Sequence, residues 1–183
     1  MIGELPTRLE VNGKSYAIRT NMRDVLKILQ AFGDPELENE EKVYICLFIL
    51  YRDFDEMSQD DYAAAYQAAM DFIDCGLKTG TSKGRPPVRT MDWEQDAPLL
   101  FPAINKVAGR EVRSLPYLHW WTFMVYYMEI NDGIFAQVMS LRSKKAKGKK
   151  LEKWEREFWA ANKDICVLKE KLSKEEQEEI DRL

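Results

Sequence analysis

The chain has 183 residues, of which 45% are hydrophobic and 32% charged, with a formal net charge of -4. This length suffices for one domain or two small ones, and a core of that size needs no metal or disulfide to hold it. No apolar run reaches the length of a membrane span, and an acidic balance argues against a uniformly basic nucleic-acid binder.

Cysteine usage and the first residues both predict a cytoplasmic protein. Cys46, Cys75 and Cys166 are scattered and form no Cys-x-x-Cys pair, which favours reduced thiols. The opening Met-Ile-Gly-Glu-Leu-Pro lacks the basic stretch and apolar block of a secretory signal.

The first predicted elements are a β-hairpin and a helix. Residues 7–18 alternate apolar and polar side chains around Asn12-Gly13, a pair that tolerates the positive φ of a tight turn. Asn21 can cap the helix that follows, and Gly33 can end it. A lone hairpin is marginal in water, so we expect it to lie on a helical body.

Two further helices are predicted before residue 77. Residues 38–52 are almost continuously apolar, and their length together with an acidic start favours a helix over a buried strand. Ser58 and Asp61 resemble a capping box, which would open a helix that Gly76 ends.

Residues 77–90 are rich in Gly, Pro, Ser, Thr and Lys, and they predict a flexible linker or a surface loop. A phosphate-binding loop is disfavoured because the spacing Gly-x-x-x-x-Gly-Lys-Ser/Thr is absent and no strand precedes the segment. The predicted division is therefore 1–76, 77–90 and 91–183, with the first and last parts either separate or joined in one domain.

After the linker, Pro98 is well placed to begin a helix and Gly109 to end it. Pro102 lies between them and predicts a kink or a break. Residues 115–130 are the most apolar stretch and predict a central core helix, with Trp120 or Tyr127 the place where an edge could contact a partner.

The last part of the chain predicts three more helical segments. Residues 134–146 and 151–172 carry amphipathic patterns, and Trp154 is assigned to the apolar side of the second. Ser173 with Glu176 forms a capping box for a short final helix. Together these patterns predict a mainly α protein, a multi-helix bundle with one small N-terminal β-hairpin and a flexible mid-chain linker.

Few residues are candidates for chemistry. His119 is the only histidine, and its aromatic neighbours favour a core histidine with a hydrogen-bond partner over a catalytic one. Asp92 and Asp96 would share a helical face and could hold Mg²⁺, but acids at a helix N-terminus are more simply explained by the helix dipole. No catalytic residue, metal site or cofactor is therefore predicted, and we expect a non-enzymatic protein.

The sharpest charge feature is the basic segment, residues 142–150, followed by Trp154. It could contact phosphates with Trp154 stacking on a base, but sparse aromatic residues and an adjoining acidic helix favour a protein partner. The predicted partner-binding residues are Trp120, Tyr127, Arg142, Lys144, Lys145, Lys147, Lys149, Lys150 and Trp154.

Seven separated blocks of the sequence carry a resemblance to a known family: Leu5-Pro6-Thr7, Ile18-Arg19-Thr20, Arg23 to Leu26, Met91 to Asp96, Pro102 to Gly109, Tyr117 to Phe123 and Arg142 to Trp154. In these blocks the chain resembles the bacteriophage gene-product-fifteen family of siphophages and prophages, and the resemblance covers nearly the whole chain.

The resemblance implies a tail-assembly chaperone that binds the tape-measure protein in the cytoplasm of the bacterial host, and it brings no catalytic residue. Self-association through opposite charges at residues 144–150 and 175–179 is a further expectation. Two alternatives stay open: a structural tail component retained in the virion, and a nucleic-acid binder that uses residues 142–150. No membrane partner is expected.

Overall fold

A computed structural model describes residues 3–77 and 88–182. It confirms a mainly α fold with one N-terminal β-hairpin. Of the linker predicted at 77–90, residues 78–87 lie outside the described residues. In chain order the described elements are β1 (Arg8–Val11), β2 (Lys14–Ala17), α1 (Met22–Phe32), α2 (Asn39–Leu50), α3 (Tyr62–Ile73), α4 (Ala97–Ala108), α5 (Trp120–Met128), α6 (Gly133–Ala146), α7 (Lys153–Ala161), α8 (Lys163–Cys166) and α9 (Lys174–Asp181).

The described residues group into two compact units, and neither unit is continuous in sequence. The first contains those of Met1–Gly80, Pro116–Met124 and Lys171–Leu183, and the second contains those of Thr81–Leu115 and Val125–Glu170. The division into 1–76, 77–90 and 91–183 stays a prediction about domains, and the units follow different boundaries.

The hairpin of the first unit forms as predicted. β1 and β2 pair antiparallel with Leu9 opposite Tyr16, and Asn12 and Gly13 take φ values of 49° and 80° in the turn. Positive φ at two successive residues is what a two-residue hairpin turn requires, so the Asn-Gly pair sets the register.

A buried carboxylate joins this hairpin to the turn before α3. Asp61 is 6% exposed and accepts hydrogen bonds from Asn12 Nδ2 at 2.8 Å, Tyr16 OH at 3.1 Å and Lys14 Nζ at 3.2 Å. These bonds, that of Asn12 foremost, hold the pKa of the Asp61 carboxyl below its ordinary value. The capping box predicted at Ser58 is wrong, because Ser58 makes no side-chain cap and Asp61 is turned toward the hairpin.

The core of the first unit is built by α1, α2, α3 and the first turns of α5. Val25, Cys46, Leu47 and Ala69 are fully buried. Tyr51 is also fully buried, and its hydroxyl donates to the carbonyl of Ala65 at 2.8 Å. The alanines on α3 leave room for such close packing between helices.

In the second unit, α4, α6 and α8 pack their apolar faces together. Its buried side chains include Leu100, Ile104, Phe135, Val138 and Leu141. α4 begins with Pro98 in its first turn and ends at Gly109, whose φ is 67°. Of the kink or break predicted at Pro102, the break does not occur, because one helix runs from Ala97 to Ala108 through it, and the kink stays a prediction.

The helix predicted at 115–130 is shorter than expected, because α5 begins only at Trp120. His119 instead forms an isolated antiparallel bridge with Asn21, and the amide of Trp120 donates to the carbonyl of Thr20 at 2.7 Å. The first turns are core as predicted, but Val125 and Met128 are about half exposed. The helix is therefore interior at its start and surface at its end.

Candidate partner-binding surfaces

Arg142, predicted as part of a partner-binding basic segment, is a structural residue of the second unit. It is 5% exposed, and its guanidinium binds Asp96 at 2.7 and 2.8 Å through two nitrogens. The remaining N–H groups donate to the main-chain carbonyls of Thr90, Ile165 and Cys166 at 2.7 to 3.0 Å. All five donors of the guanidinium are thus occupied, and none is left for an external phosphate or carboxylate.

Asp96 and Asp92, the pair considered as a metal site, are occupied in the same region. Asp96 binds Arg142 and also accepts from the amide of Asp92 at 2.9 Å. Asp92 accepts from the amides of Glu94 and Gln95 at 2.9 and 2.7 Å, and it pairs with the guanidinium of Arg89. These acids stabilise the turn that leads into α4 through hydrogen bonds and ion pairs.

Lys144 is also held within the unit. Its ammonium pairs with Glu155, a carboxylate that is only 2% exposed and that also accepts from the amide of Glu152 at 2.8 Å. The hydrogen bond from Lys144, before any other cause, lowers the pKa of Glu155. This pair fixes the start of α7 against α6.

Three of the remaining basic residues, together with Arg156 of α7, surround an open cleft, which we call the basic cleft. Its volume is about 490 Å³. The lining residues are Lys145, Gly148, Lys149, Lys150, Leu151, Arg156 and Trp159. The ammonium of Lys145 lies 4.1 Å from the centre of the Trp159 ring, a cation–π contact, and Arg156 donates to the carbonyl of Leu151 at 2.7 Å. The cleft therefore combines four cationic side chains with an apolar wall.

Trp154 does not line the basic cleft. It is 52% exposed, and its indole N–H donates to Glu152 at 3.1 Å. Its placement on the apolar side of an amphipathic helix was wrong, since α7 turns this ring outward. Lys147 is exposed at the end of α6 and is also outside the lining of the cleft.

Of the two aromatic residues predicted at a partner-binding edge, Trp120 is packed inside and Tyr127 is half-buried. Trp120 is 1% exposed, and its indole N–H donates to the carbonyl of Ile73 at 2.8 Å. A side chain so placed offers no surface to a partner in this fold, which corrects the prediction. Tyr127 is half-buried, with its hydroxyl 3.4 Å from the sulfur of Met91, and burial raises the pKa of its phenol.

His119 is a buried residue of the first unit. Its Nδ1 accepts from the amide of Trp121 at 3.1 Å, so the proton lies on Nε2, which donates to the carbonyl of Pro6 at 3.0 Å. Phe72 packs edge-on against the ring at 6.0 Å. Both nitrogens are used in holding the N-terminal segment, as expected for a core histidine with a hydrogen-bond partner.

The sequence-based reasoning missed an aromatic face on α2, made by Tyr44 and Phe48. Each side chain is 53% exposed, and the two rings stack with centroids 6.2 Å apart and planes 8° apart. The edge of Phe54 supports both rings, at 5.3 and 6.0 Å, and Phe54 itself stacks on Tyr62 at 5.3 Å. The opposite side of α2 is buried, so this helix is apolar both toward the core and toward solvent.

That face is unusual because large apolar side chains at a surface are normally isolated. Here two rings at spacing i, i+4 are held rigid by two more rings beneath them, which lowers the entropy lost on contact with a partner. The signal in the sequence is the uninterrupted run Val43 to Leu50, in which no polar residue marks a solvent side.

In residues 3–77 and 88–182, no helix has the length and apolar character that crossing a membrane demands. Neither the curated proteins nor the solved structures contain a match to this chain. The family described as Bacteriophage Gp15 protein matches residues 1–168. Because that match spans most of the sequence, the chain belongs to the Bacteriophage Gp15 protein family.

Proposed function

We propose that this phage protein is a non-enzymatic tail-assembly chaperone that binds the tape-measure protein in the cytoplasm of the infected bacterial host. The observation that carries the proposal is the aromatic face of Tyr44 and Phe48 on α2. A chaperone for a long helical protein must cover apolar side chains that would otherwise aggregate, and a rigid aromatic face suits one side of an amphipathic helix.

The side chains that could have carried chemistry support the same proposal. His119 uses both ring nitrogens within the first unit, and Asp96 is bound to Arg142 within the second. Groups already satisfied by structural hydrogen bonds are poorly placed to transfer protons or bind a metal.

The aromatic face also accounts for how binding could be reversible. Two half-exposed rings provide a limited apolar contact, which falls short of the area of a permanent interface. A partner held by such a contact can be released when the tape-measure helices pack against the tail tube.

Co-expression of the tape-measure protein with this chain tests the proposal. We expect the tape-measure protein to stay in the soluble fraction and to elute in a complex with the chain. If it is equally insoluble with and without the chain, and no complex elutes, the proposal fails. Mass spectrometry of purified virions tests retention, because a chaperone should be absent and a structural tail component present.

A matched pair of variants locates the contact. Tyr44→Ser with Phe48→Ser removes the aromatic face, and Met128→Ser with Ile134→Ser removes two side chains of similar exposure elsewhere. We expect the complex to be lost with the first pair and kept with the second. Loss with neither pair would leave the chaperone role intact and reject α2 as its surface.

A further inference from the structure

The basic cleft is the strongest charged feature that the proposed function does not use. Four cations surround it, and its described lining contains no acidic residue. Trp159 and Leu151 give it an apolar wall beside these charges. A cleft of this composition fits a ligand that carries several negative charges and at least one apolar side chain.

Nucleic acid fits the cleft poorly. Arg142 and Lys144 are committed to Asp96 and Glu155, so two cations of the basic segment are not available for phosphates. Trp154, the aromatic residue that could have stacked on a base, lies outside the cleft. The contact of Lys145 with the Trp159 ring further limits stacking there.

The chain itself carries a segment with the required chemistry. Residues 173–183 read Ser-Lys-Glu-Glu-Gln-Glu-Glu-Ile-Asp-Arg-Leu, with five acidic residues in nine positions from 173 to 181. Within α9, Glu176 and Glu178 are exposed, and Ile180 is 52% exposed. Ile180 follows Glu176 by four residues, so a carboxylate and an apolar side chain lie on one face of the helix.

We propose that the basic cleft of one copy binds the acidic α9 segment of a second copy. Ile180 packs against Trp159 and Leu151. Glu178 and the second carboxylate oxygen of Glu176, whose Oε2 accepts from the amide of Ser173 at 2.8 Å, pair with Lys149 and Lys150. Each copy has one cleft and one acidic segment, so two copies can exchange segments reciprocally and close as a symmetric dimer. The inference is independent of the tape-measure protein.

Sedimentation of the full chain at low and raised salt gives the first test. We expect a dimer whose dissociation constant rises with salt, because salt screens charges at the rim of an interface. A chain that is monomeric at every concentration and salt level would overturn the proposal.

Charge reversal then identifies the two surfaces. Lys149→Glu with Lys150→Glu changes the cleft, and Glu176→Lys with Glu178→Lys changes the segment. We expect each variant alone to dimerise at least about tenfold more weakly, since close charge pairs across an interface couple by a tenfold change or more. Mixed together, the two variants should form a heterodimer, because the reversed cleft meets the reversed segment and the unchanged cleft meets the unchanged segment.

The control is Lys153→Glu with Lys163→Glu, which makes the same change in charge at exposed positions on α7 and α8. This variant should dimerise like the wild type, and circular dichroism should show all variants folded. Variants that stay monomeric when mixed would overturn α9 as the occupant. A second result would also overturn α9 as the occupant. In it, the wild type is a monomer that binds a labelled oligonucleotide in a salt-dependent way, and the variant Lys149→Glu with Lys150→Glu loses that binding.

Discussion

At the scale of single residues, buried ion pairs decide which charges belong to the fold and which remain for partners. Arg142 binds Asp96 with both side chains at least 95% buried. A fully hydrogen-bonded pair in the interior is costly to break, because removing one partner leaves an uncompensated charge. The number of basic residues in a segment is therefore larger than the number of positive charges that the segment exposes to solvent.

Arg142→Met should lower the free energy of unfolding by about 3–5 kcal/mol, the cost of leaving Asp96 buried and unpaired. Urea denaturation monitored by tryptophan fluorescence measures the change. Arg113→Met is the control, because Arg113 pairs with Glu111 at the surface and its loss should change stability little. A decrease for Arg142→Met as small as that of the control would contradict the structural role assigned to the guanidinium.

Asp61 predicts a pH dependence. Its pKa is lowered in the folded chain, so its contribution to stability is present above its unfolded pKa of about 4 and is lost as the pH falls through the folded value. The Tm of the wild type should therefore fall with pH below about 4, and Asp61→Asn should show a lower Tm at pH 7 and a shallower acid dependence.

Asp60→Asn is the matched control for Asp61→Asn, since Asp60 is adjacent and exposed. It should keep both the Tm at pH 7 and the acid dependence of the wild type. An equal flattening in both variants would show that the hydrogen bonds to Asp61 are not the cause.

At the scale of elements, the helix starts predicted at Asn21 and Ser173 form from local signals, whereas the capping box predicted at Ser58 does not form because Asp61 binds the hairpin. Asn21 accepts from the amide of Arg23 at 3.2 Å at the start of α1, and Ser173 accepts from the amide of Glu176 at 3.2 Å at the start of α9. Such caps depend on residues within one turn, so they can be read directly from the sequence.

Asn21→Ala should reduce the free energy of unfolding by about 0.5–2 kcal/mol, because the first turn of α1 loses its side-chain cap. The same change at Asn39, exposed in the first turn of α2, is the comparison and should have a smaller effect. Thermal melting of the two variants measures both. A larger loss for Asn39→Ala would contradict capping by Asn21.

Elements fixed by distant contacts were the ones predicted wrongly. The helix expected at 115–130 starts late because His119 is drawn into a bridge with Asn21, a residue that no local pattern connects to it. The solvent face of α2 was missed for a related reason. A continuous apolar run has no period, so the sequence does not say that Tyr44 and Phe48 point outward.

At the scale of the whole molecule, the periodicity of apolar residues predicted the fold class. It did not predict which segments of the chain make up each compact unit. Pro116–Met124 and Lys171–Leu183 belong to the same compact unit as the N-terminal residues. Composition marks a boundary near 77–90, yet it cannot show which later segments complete the first core. The predicted partner-binding residues show the same limit. They were chosen by residue type, and the structure buries Trp120 and Arg142, so these two cannot contact a partner.

The first unit should therefore be unstable when cut at the predicted boundary. A fragment of residues 1–76 lacks Trp120 and Phe123, which are 1% and 0% exposed in the intact chain. We expect poor dispersion of its amide NMR signals and no cooperative melting, because its core is incomplete. A fragment of residues 1–124 should recover both properties. Cooperative melting of the shorter fragment alone would contradict this expectation.

The bonding of Arg142 has a consequence for which sequences this fold accepts. Three of its acceptors are main-chain carbonyls, and a carbonyl is present whatever amino acid occupies positions 90, 165 and 166. In a library of random substitutions, Thr90 and Ile165 should tolerate more replacements without loss of these bonds than Cys166, which is fully buried. Intolerance should concentrate at 142 and 96, two sites 46 residues apart that would have to change together.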